Sequence, residues 1–287
     1  MFGNVERLRP TTSARPKKVR AALLVPVRPA ASWPSEWIAA MRAGVAAAEP
    51  QDPIVRLRRD DGTIETHDWT DPRIDLTTPL APWRIPRWVH GQRHYSGRYW
   101  CATTTGHLLY ESRLELARAI YADFDRTVNH IVAQPFQLEA KVDGKTRRYT
   151  PDYLLLTSKD PVVVEVKPRN WLTRPKVIRR TTLARQLVEQ RGWQYEVWSE
   201  PPPAEFVNLK FLAGYRNKRL FDEKVAAALS DREVDGRTFE EVCRNENRWS
   251  QPIVRSHLLH LMWTGRIITD IEIPLSPKSL LNKRIKQ

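Results

Sequence analysis

Two apolar runs set close together constrain this chain more than any other feature. Tyr153-Leu154-Leu155-Leu156 and Val162-Val163-Val164-Glu165-Val166 flank the turn-like Ser158-Lys159-Asp160-Pro161, a pattern that predicts a β-hairpin. Asp152 follows Pro151 at the entrance of the first strand. Side chains alternate along a strand, so Glu165 and Lys167 share one face while Val164 and Val166 share the other. A lone Glu-x-Lys of this kind most often marks an edge strand with a solvated face. The surrounding sequence argues for something else.

Charge narrows the choice of partner. The chain has 287 residues, 41% of them hydrophobic and 11 of them Trp, enough for one large or two modest cores. Its 47 Lys and Arg against 33 Asp and Glu leave a formal charge of +14. Such a balance favours a polyanion, nucleic acid ahead of an anionic membrane. The apolar run Ala21 to Val25 is cut by Pro26 and Arg28, and no stretch approaches the length of a membrane span, so neither a membrane segment nor a signal peptide is expected. Cys101 and Cys243 lie far apart, without the spacing of a zinc ribbon or a disulfide framework, which points to a cytoplasmic setting.

The order of elements follows from local pattern. Residues 1–34 are rich in Arg, Ala and Pro and predict a mobile basic arm. An N-terminal extension over residues 35–82 holds a helix from Ser35 to about Ala48 and a hairpin whose strands flank Asp61-Gly62, before a Pro-rich stretch from Thr78 to Pro86. Trp83 to Trp100 interleaves Arg84, Arg87, Arg93 and Arg98 with Trp and Tyr, a composition suited to phosphates and stacked bases, although strand aromatics more often face a core. A strand at Gly106 to Tyr110 leads into a helix from Glu111 to Asp125, with Leu114, Ala117, Ile120, Tyr121 and Phe124 as its apolar stripe and Glu115 beside it. Val128 to Ala140 reads as strands broken at Gln134-Pro135. After the hairpin comes a helix ending at Gly192, with seven basic residues between Pro168 and Gly192 (Arg169, Arg174, Lys176, Arg179, Arg180, Arg185, Arg191) against the single acid Glu189. A strand at Gln194 to Trp198 closes this unit, and Pro201-Pro202-Pro203 reads as a linker.

Three helices are expected beyond it, at Arg219 to Ser230, Thr238 to Asn245 and Ser250 to Thr264, with one or two strands in Gly265 to Pro274. That order fits a winged-helix domain over residues 206–287, whose third helix can enter a DNA groove. Its buried side would hold Ile253, Val254, Leu258, Leu261 and Met262, leaving Arg248, Arg255 and His257 nearer the surface. His257, His260 and Cys243 lack a fourth ligand at a plausible spacing and are set aside as a metal site.

Glu115, Asp152, Glu165 and Lys167 are thus three carboxylates and an amine that this topology can bring into one cleft, an oxygen-rich set that suits magnesium. Through Pro151-Asp152 and Glu165-Val166-Lys167 the chain resembles the PD-(D/E)xK nuclease superfamily. Through "YESRLELARAIYADFD", "QPFQL", "YTPDYLL" and "VVVEVKPR", in that order, it is similar more narrowly to the TnsA-type endonucleases of heteromeric transposases. The resemblance spans roughly Tyr95 to Ser199. It implies an α/β fold, a restriction-endonuclease-like mixed sheet flanked by helices, over residues 83–200. It also implies hydrolysis of DNA to a 5′-phosphate and a 3′-hydroxyl at the 5′ ends of a transposon. Glu115, Asp152 and Glu165 would be the metal ligands for Mg2+, or Mn2+ in its place, and Lys167 would hold the attacking water or offset developing charge. Some TnsA-type enzymes carry glutamine where Glu165 stands, whereas glutamate is usual in the superfamily.

Arg169, Arg174, Lys176, Arg179, Arg180 and Arg255 are the expected contacts to double-stranded DNA. The partners implied are a DDE-type integrase subunit and an AAA+ ATPase regulator. A stand-alone restriction or repair nuclease, and a non-catalytic DNA-binding adaptor, are the alternatives.

Overall fold

The computed structural model describes residues 49–74, 80–84 and 95–283. The expected basic arm, the helix at Ser35 to Ala48, the two ends of the Pro-rich stretch (residues 78–79 and 85–86), and Arg87, Trp88 and Arg93 of the aromatic segment lie outside the described residues.

The expected hairpin forms the centre of the molecule. Strands β8 (Tyr153–Thr157) and β9 (Val162–Val166) pair antiparallel, with Leu154 opposite Val163. On the other side of β9 lies β10 (Gln194–Trp198), parallel to it. Parallel neighbours need a long crossover, and helix α2 (Pro175–Gln190) supplies it, closing at Gly192, whose φ of +76° suits a residue without a Cβ. With β5 (Val128–Ala133) beside β8, the mixed sheet runs β10-β9-β8-β5.

β9 is therefore a central strand, not an edge, and every residue of it is buried. This corrects the ordinary reading of Glu-x-Lys as a solvated face. Val162, Val164 and Val166 pack on one side with helix α1 (Arg113–Phe124) and the C-terminal helices. Val163 packs on the other with Ala184, Leu187 and Val188 of α2. Glu165 faces this second side, and α2 removes it from water.

A second sheet, β2-β1-β6-β7, covers the α2 side. It comprises β1 (Gln51–Arg58), β2 (Ile64–Asp68), β6 (Gln137–Val142) and β7 (Lys145–Tyr149). The Asp61-Gly62 hairpin forms as expected, and β1 also pairs with β6, so the extension adds two strands to the sheet of β6 and β7. Trp69 locks it to α2 by donating its indole N–H to the Leu187 carbonyl at 2.6 Å. The expected break lies at Gln134, with φ of +46°, whose N–H donates to the Asp152 carbonyl.

Strands β3 (Gly97–Cys101) and β4 (Gly106–Tyr110) form a hairpin tied to α1 through Asp123. That buried carboxylate accepts from the Tyr99 hydroxyl, the Cys101 thiol, the Thr103 hydroxyl and the backbone N–H groups of Ala102 and Thr103. At Gly97 a Cβ would lie 2.1 Å from the Tyr110 hydroxyl oxygen, so any larger residue there would have to displace the Tyr110 ring.

Pro201 to Pro203 is not a spacer. Pro203 occupies the first turn of helix α3 (Pro203–Leu212), where its missing N–H costs nothing. Phe206 of α3 stacks on Tyr121 of α1, and Phe124 packs against Trp263. Helices α4 (Glu223–Ser230), α5 (Phe239–Arg244) and α6 (Gln251–Trp263) follow, with a small sheet of β11 (Arg237–Thr238), β13 (Leu280–Lys283) and β12 (Ile267–Ile268) in the order β11-β13-β12. The strand after α6 thus finds its partner at Leu280–Lys283, beyond the expected Gly265 to Pro274. On α6, Ile253 is 41% exposed, whereas His257 is buried and uses both ring nitrogens, one on the Ile253 carbonyl and one on the Asp222 N–H. These two placements reverse the expected ones. Satisfied hydrogen bonds make burial of the imidazole cheap.

Candidate active site

Asp152 and Glu165 reach one point from adjacent strands. The Asp152 N–H donates to the Val164 carbonyl, and its Oδ2 accepts from the Val166 N–H at 2.6 Å, which aims the carboxylate across β9. Lys167, at the end of β9, places Nζ 2.6 Å from Glu165 Oε1, at an angle that makes an ion pair and not a hydrogen bond. The same ammonium lies 3.7 Å from Asp152 Oδ2 and donates to the Val166 carbonyl at 2.9 Å. Glu165 is 0% exposed, and its Oε2 has no hydrogen-bond partner among the described residues.

The fourth expected residue is near but turned aside. Glu115 lies in the first turn of α1, where its carboxylate accepts from the Glu111 N–H at 2.7 Å and from the Ser112 hydroxyl at 3.0 Å. Its backbone carbonyl accepts from the Tyr153 hydroxyl, which joins α1 to the start of β8. Among the described residues no three His, Cys, Asp or Glu side chains form a group that could hold a metal ion. That holds for His257, His260 and Cys243 as well.

Electrostatics show how crowded the carboxylates are. Burial and then the Glu165 charge push Asp152 up to about 7, against the pull of Lys167. Glu115 is raised too, chiefly by burial. Burial works against the charge on Lys167, but Asp152 and Glu165 outweigh it and hold its pKa above the usual lysine value.

The unfolded Asp152 titrates near ~4, so from there to about 7 the folded protein binds the proton more tightly. This group's contribution to stability is complete below ~4 and is lost as pH rises through about 7. The metal-free Asp152→Asn protein is therefore expected to lose less thermal stability than the parent between pH 5 and pH 8. Melting curves at the two pH values check this, and parallel losses would contradict it.

Of the expected DNA contacts, Arg169, Arg174, Lys176 and Arg179 are exposed. Arg174 lies over the Trp171 ring at 4.5 Å, while the Arg169 backbone N–H donates to Glu200. Arg255 is exposed on α6, 5.7 Å over the Phe239 ring. Arg180 differs from the rest. Its Nε is 3.4 Å from Glu165 Oε1, and Nη2 donates to the Thr150 carbonyl. Helical phase was the available signal, because Arg180 precedes the buried Ala184 and Leu187 by four and seven residues.

The site is thus a mixed sheet carrying two carboxylates and a lysine at the ends of neighbouring strands, with a basic crossover helix laid over them. Residues 125–200 match the family model described as "TnsA-like endonuclease N terminal", a nuclease of the Tn7 transposase type. Asp152, Glu165, Lys167 and Arg180 all fall inside the match, and Glu115 falls outside it. No curated protein matches the chain.

Proposed function

We propose that this chain is a metal-dependent DNA endonuclease, the subunit of a heteromeric transposase that cuts at the 5′ ends of the element. The observation that carries this reading is the convergence of Asp152, Glu165 and Lys167 inside the TnsA-like segment. The residues suit a divalent cation: Glu165 keeps a buried oxygen without a partner, and Asp152 is buried beside the Glu165 charge. Asp152 and Glu165 would hold Mg2+ or Mn2+, joined by Glu115 once its carboxylate leaves the Glu111 N–H and the Ser112 hydroxyl, and the ion would supply Lewis-acid chemistry and a more acidic water. Lys167 keeps the two strand carboxylates together. In the reaction a water oxygen bonds to phosphorus, the bond from phosphorus to the 3′ oxygen breaks, and that oxygen takes up a proton.

The exposed Arg169, Arg174, Lys176 and Arg179 would lie along the DNA backbone beside the site. Helices α4 to α6 with the β11-β13-β12 sheet support a winged-helix domain over residues 206–287, following a nuclease domain over residues 83–200, with Arg255 on the exposed side of its third helix. Among the described residues no helix is long and apolar enough to cross a membrane. A cytoplasmic protein acting with a DDE-type integrase and an AAA+ regulator is the reading that follows.

A protein of charge +14 binds duplex DNA with little regard to sequence. One reading helix also specifies too few base pairs to select a site among roughly 10⁶ or more competitors. The isolated chain is therefore expected to be nearly inactive with Mg2+ at physiological salt, and end-specific nicking is expected when an end-binding integrase partner is added. Labelled end duplexes incubated with and without that partner give the measurement. Robust sequence-specific cleavage by the chain alone would mean a stand-alone restriction-like enzyme instead.

A further inference from the structure

In a nuclease of this kind some group must meet the negative charge that builds on the non-bridging oxygens of the phosphate as water attacks. Lys167 is the obvious choice from sequence, but its ammonium is ion-paired with Glu165 Oε1 at 2.6 Å and Asp152 Oδ2 at 3.7 Å and donates to the Val166 carbonyl at 2.9 Å. Its charge is committed within the site.

Arg180 is placed differently. Its Nε faces Glu165 at 3.4 Å and its Nη2 reaches the Thr150 carbonyl at 3.3 Å, two residues before Asp152, so the guanidinium lies across the two strands that carry the carboxylates. The plane rests 5.4 Å over the Tyr149 ring, which limits its movement. Glu165 is 0% exposed while the Arg180 side chain is 43% exposed, so one edge of the fork is inside the site and the other opens to solvent. Nη1 has no acceptor among the described residues. The open edge lies on the same helix as the exposed Lys176 and Arg179.

We propose that Arg180 is a catalytic residue, which orders Glu165 with one edge of its guanidinium and stabilises the scissile phosphate in the transition state with the other. This rests on the nuclease reading above. A guanidinium suits the task because its planar fork can serve a carboxylate and a phosphate oxygen together, whereas an ammonium is a point charge. Being preorganised against Glu165 and Tyr149, it needs little rearrangement when charge develops.

The test is single-turnover nicking of a labelled end duplex by the full chain with its integrase partner and Mg2+, at saturating DNA, for the parent, Arg180→Ala and Arg180→Lys. Duplex affinity is measured in parallel with Ca2+ in place of Mg2+, and folding is checked by melting temperature. The rate constant is expected to fall by about 10²-fold or more in Arg180→Ala. Affinity is expected to change by less than about threefold, since one phosphate contact among many is lost. Guanidinium ion added to the Arg180→Ala protein is expected to restore part of the rate, and Arg180→Lys is expected to remain slow. A saturated rate within about threefold of the parent in either variant, or a loss confined to affinity, would overturn the proposal while leaving the nuclease reading in place. If Arg180→Ala proves unfolded, a near-parental rate for Arg180→Lys still overturns it. A parent protein that nicks no DNA with its partner would sink the nuclease reading itself, and the role of Arg180 with it.

Discussion

Asp152→Asn is expected to lower the nicking rate by about 10³-fold or more, toward the upper end of what one preorganised electrostatic group contributes. The substitution keeps the shape of the side chain, and the amide oxygen can still accept from the Val166 N–H that Oδ2 now holds at 2.6 Å. The strand ends therefore stay in place. What disappears is one of the hard anionic oxygens, a charge that burial first and Glu165 second make costly enough to push Asp152 up to about 7. Duplex affinity is expected to stay within about threefold of the parent, because Arg169, Arg174, Lys176 and Arg179 are untouched and phosphate contacts dominate non-specific binding. A thermal-shift titration with Mg2+ gives an independent readout: ion-dependent stabilisation should appear in the parent and shrink in the variant. Undiminished nicking by a folded Asp152→Asn protein, where the parent cuts, would remove the proposed site.

Arg118→Ala is expected to destabilise the protein by about 3–5 kcal/mol without touching the site directly, the usual cost of leaving one member of a buried ion pair alone. Arg118 on α1 donates Nε and Nη2 to the two oxygens of Glu196 on β10, at 3.1 and 2.8 Å, with the side chains 4% and 6% exposed. Truncation leaves the Glu196 carboxylate buried between sheet and helix. A melting point lower by roughly 10 °C is expected for a chain of this size. Replacing both residues by apolar ones, as in Arg118→Met with Glu196→Leu, should recover most of the loss, since the pair itself adds little beyond an apolar contact of similar volume. Chemical denaturation of the two variants measures this, and a single-variant loss under about 1 kcal/mol would show that water reaches Glu196.

Local pattern was enough for the elements that hold the site. The β-branched Val162 to Val166 run, the turn at Ser158 to Pro161 and the Gly192 cap lie where periodicity and turn chemistry put them, because each depends on contacts within a few residues. The alternation that sets Glu165 against Val164 is likewise a property of one strand. The sequence could not show whether the face carrying Glu165 meets water or protein. That depends on α2, whose crossover makes β10 a parallel neighbour of β9 and turns an apparent edge into a buried centre.

Tertiary contacts also decided the direction of the charges. Arg179 and Arg180 are adjacent in sequence and both exposed on α2, yet Arg180 turns its Nε toward Glu165, because 100° of helical rotation separates the two. Pro201 to Pro203 read as a linker from composition, but Pro203 already begins a helix that is packed through the stacking of Phe206 on Tyr121, a contact across 85 residues of chain. His257 and Ile253 exchanged their expected places because a histidine with both nitrogens bonded is cheaper to bury than hydropathy alone allows. The sequence by itself determined which residues could form strands, helices and a charged cluster. The tertiary structure decided which of those charges face one another, since only packing sets the distances and the loss of water on which ion pairing depends.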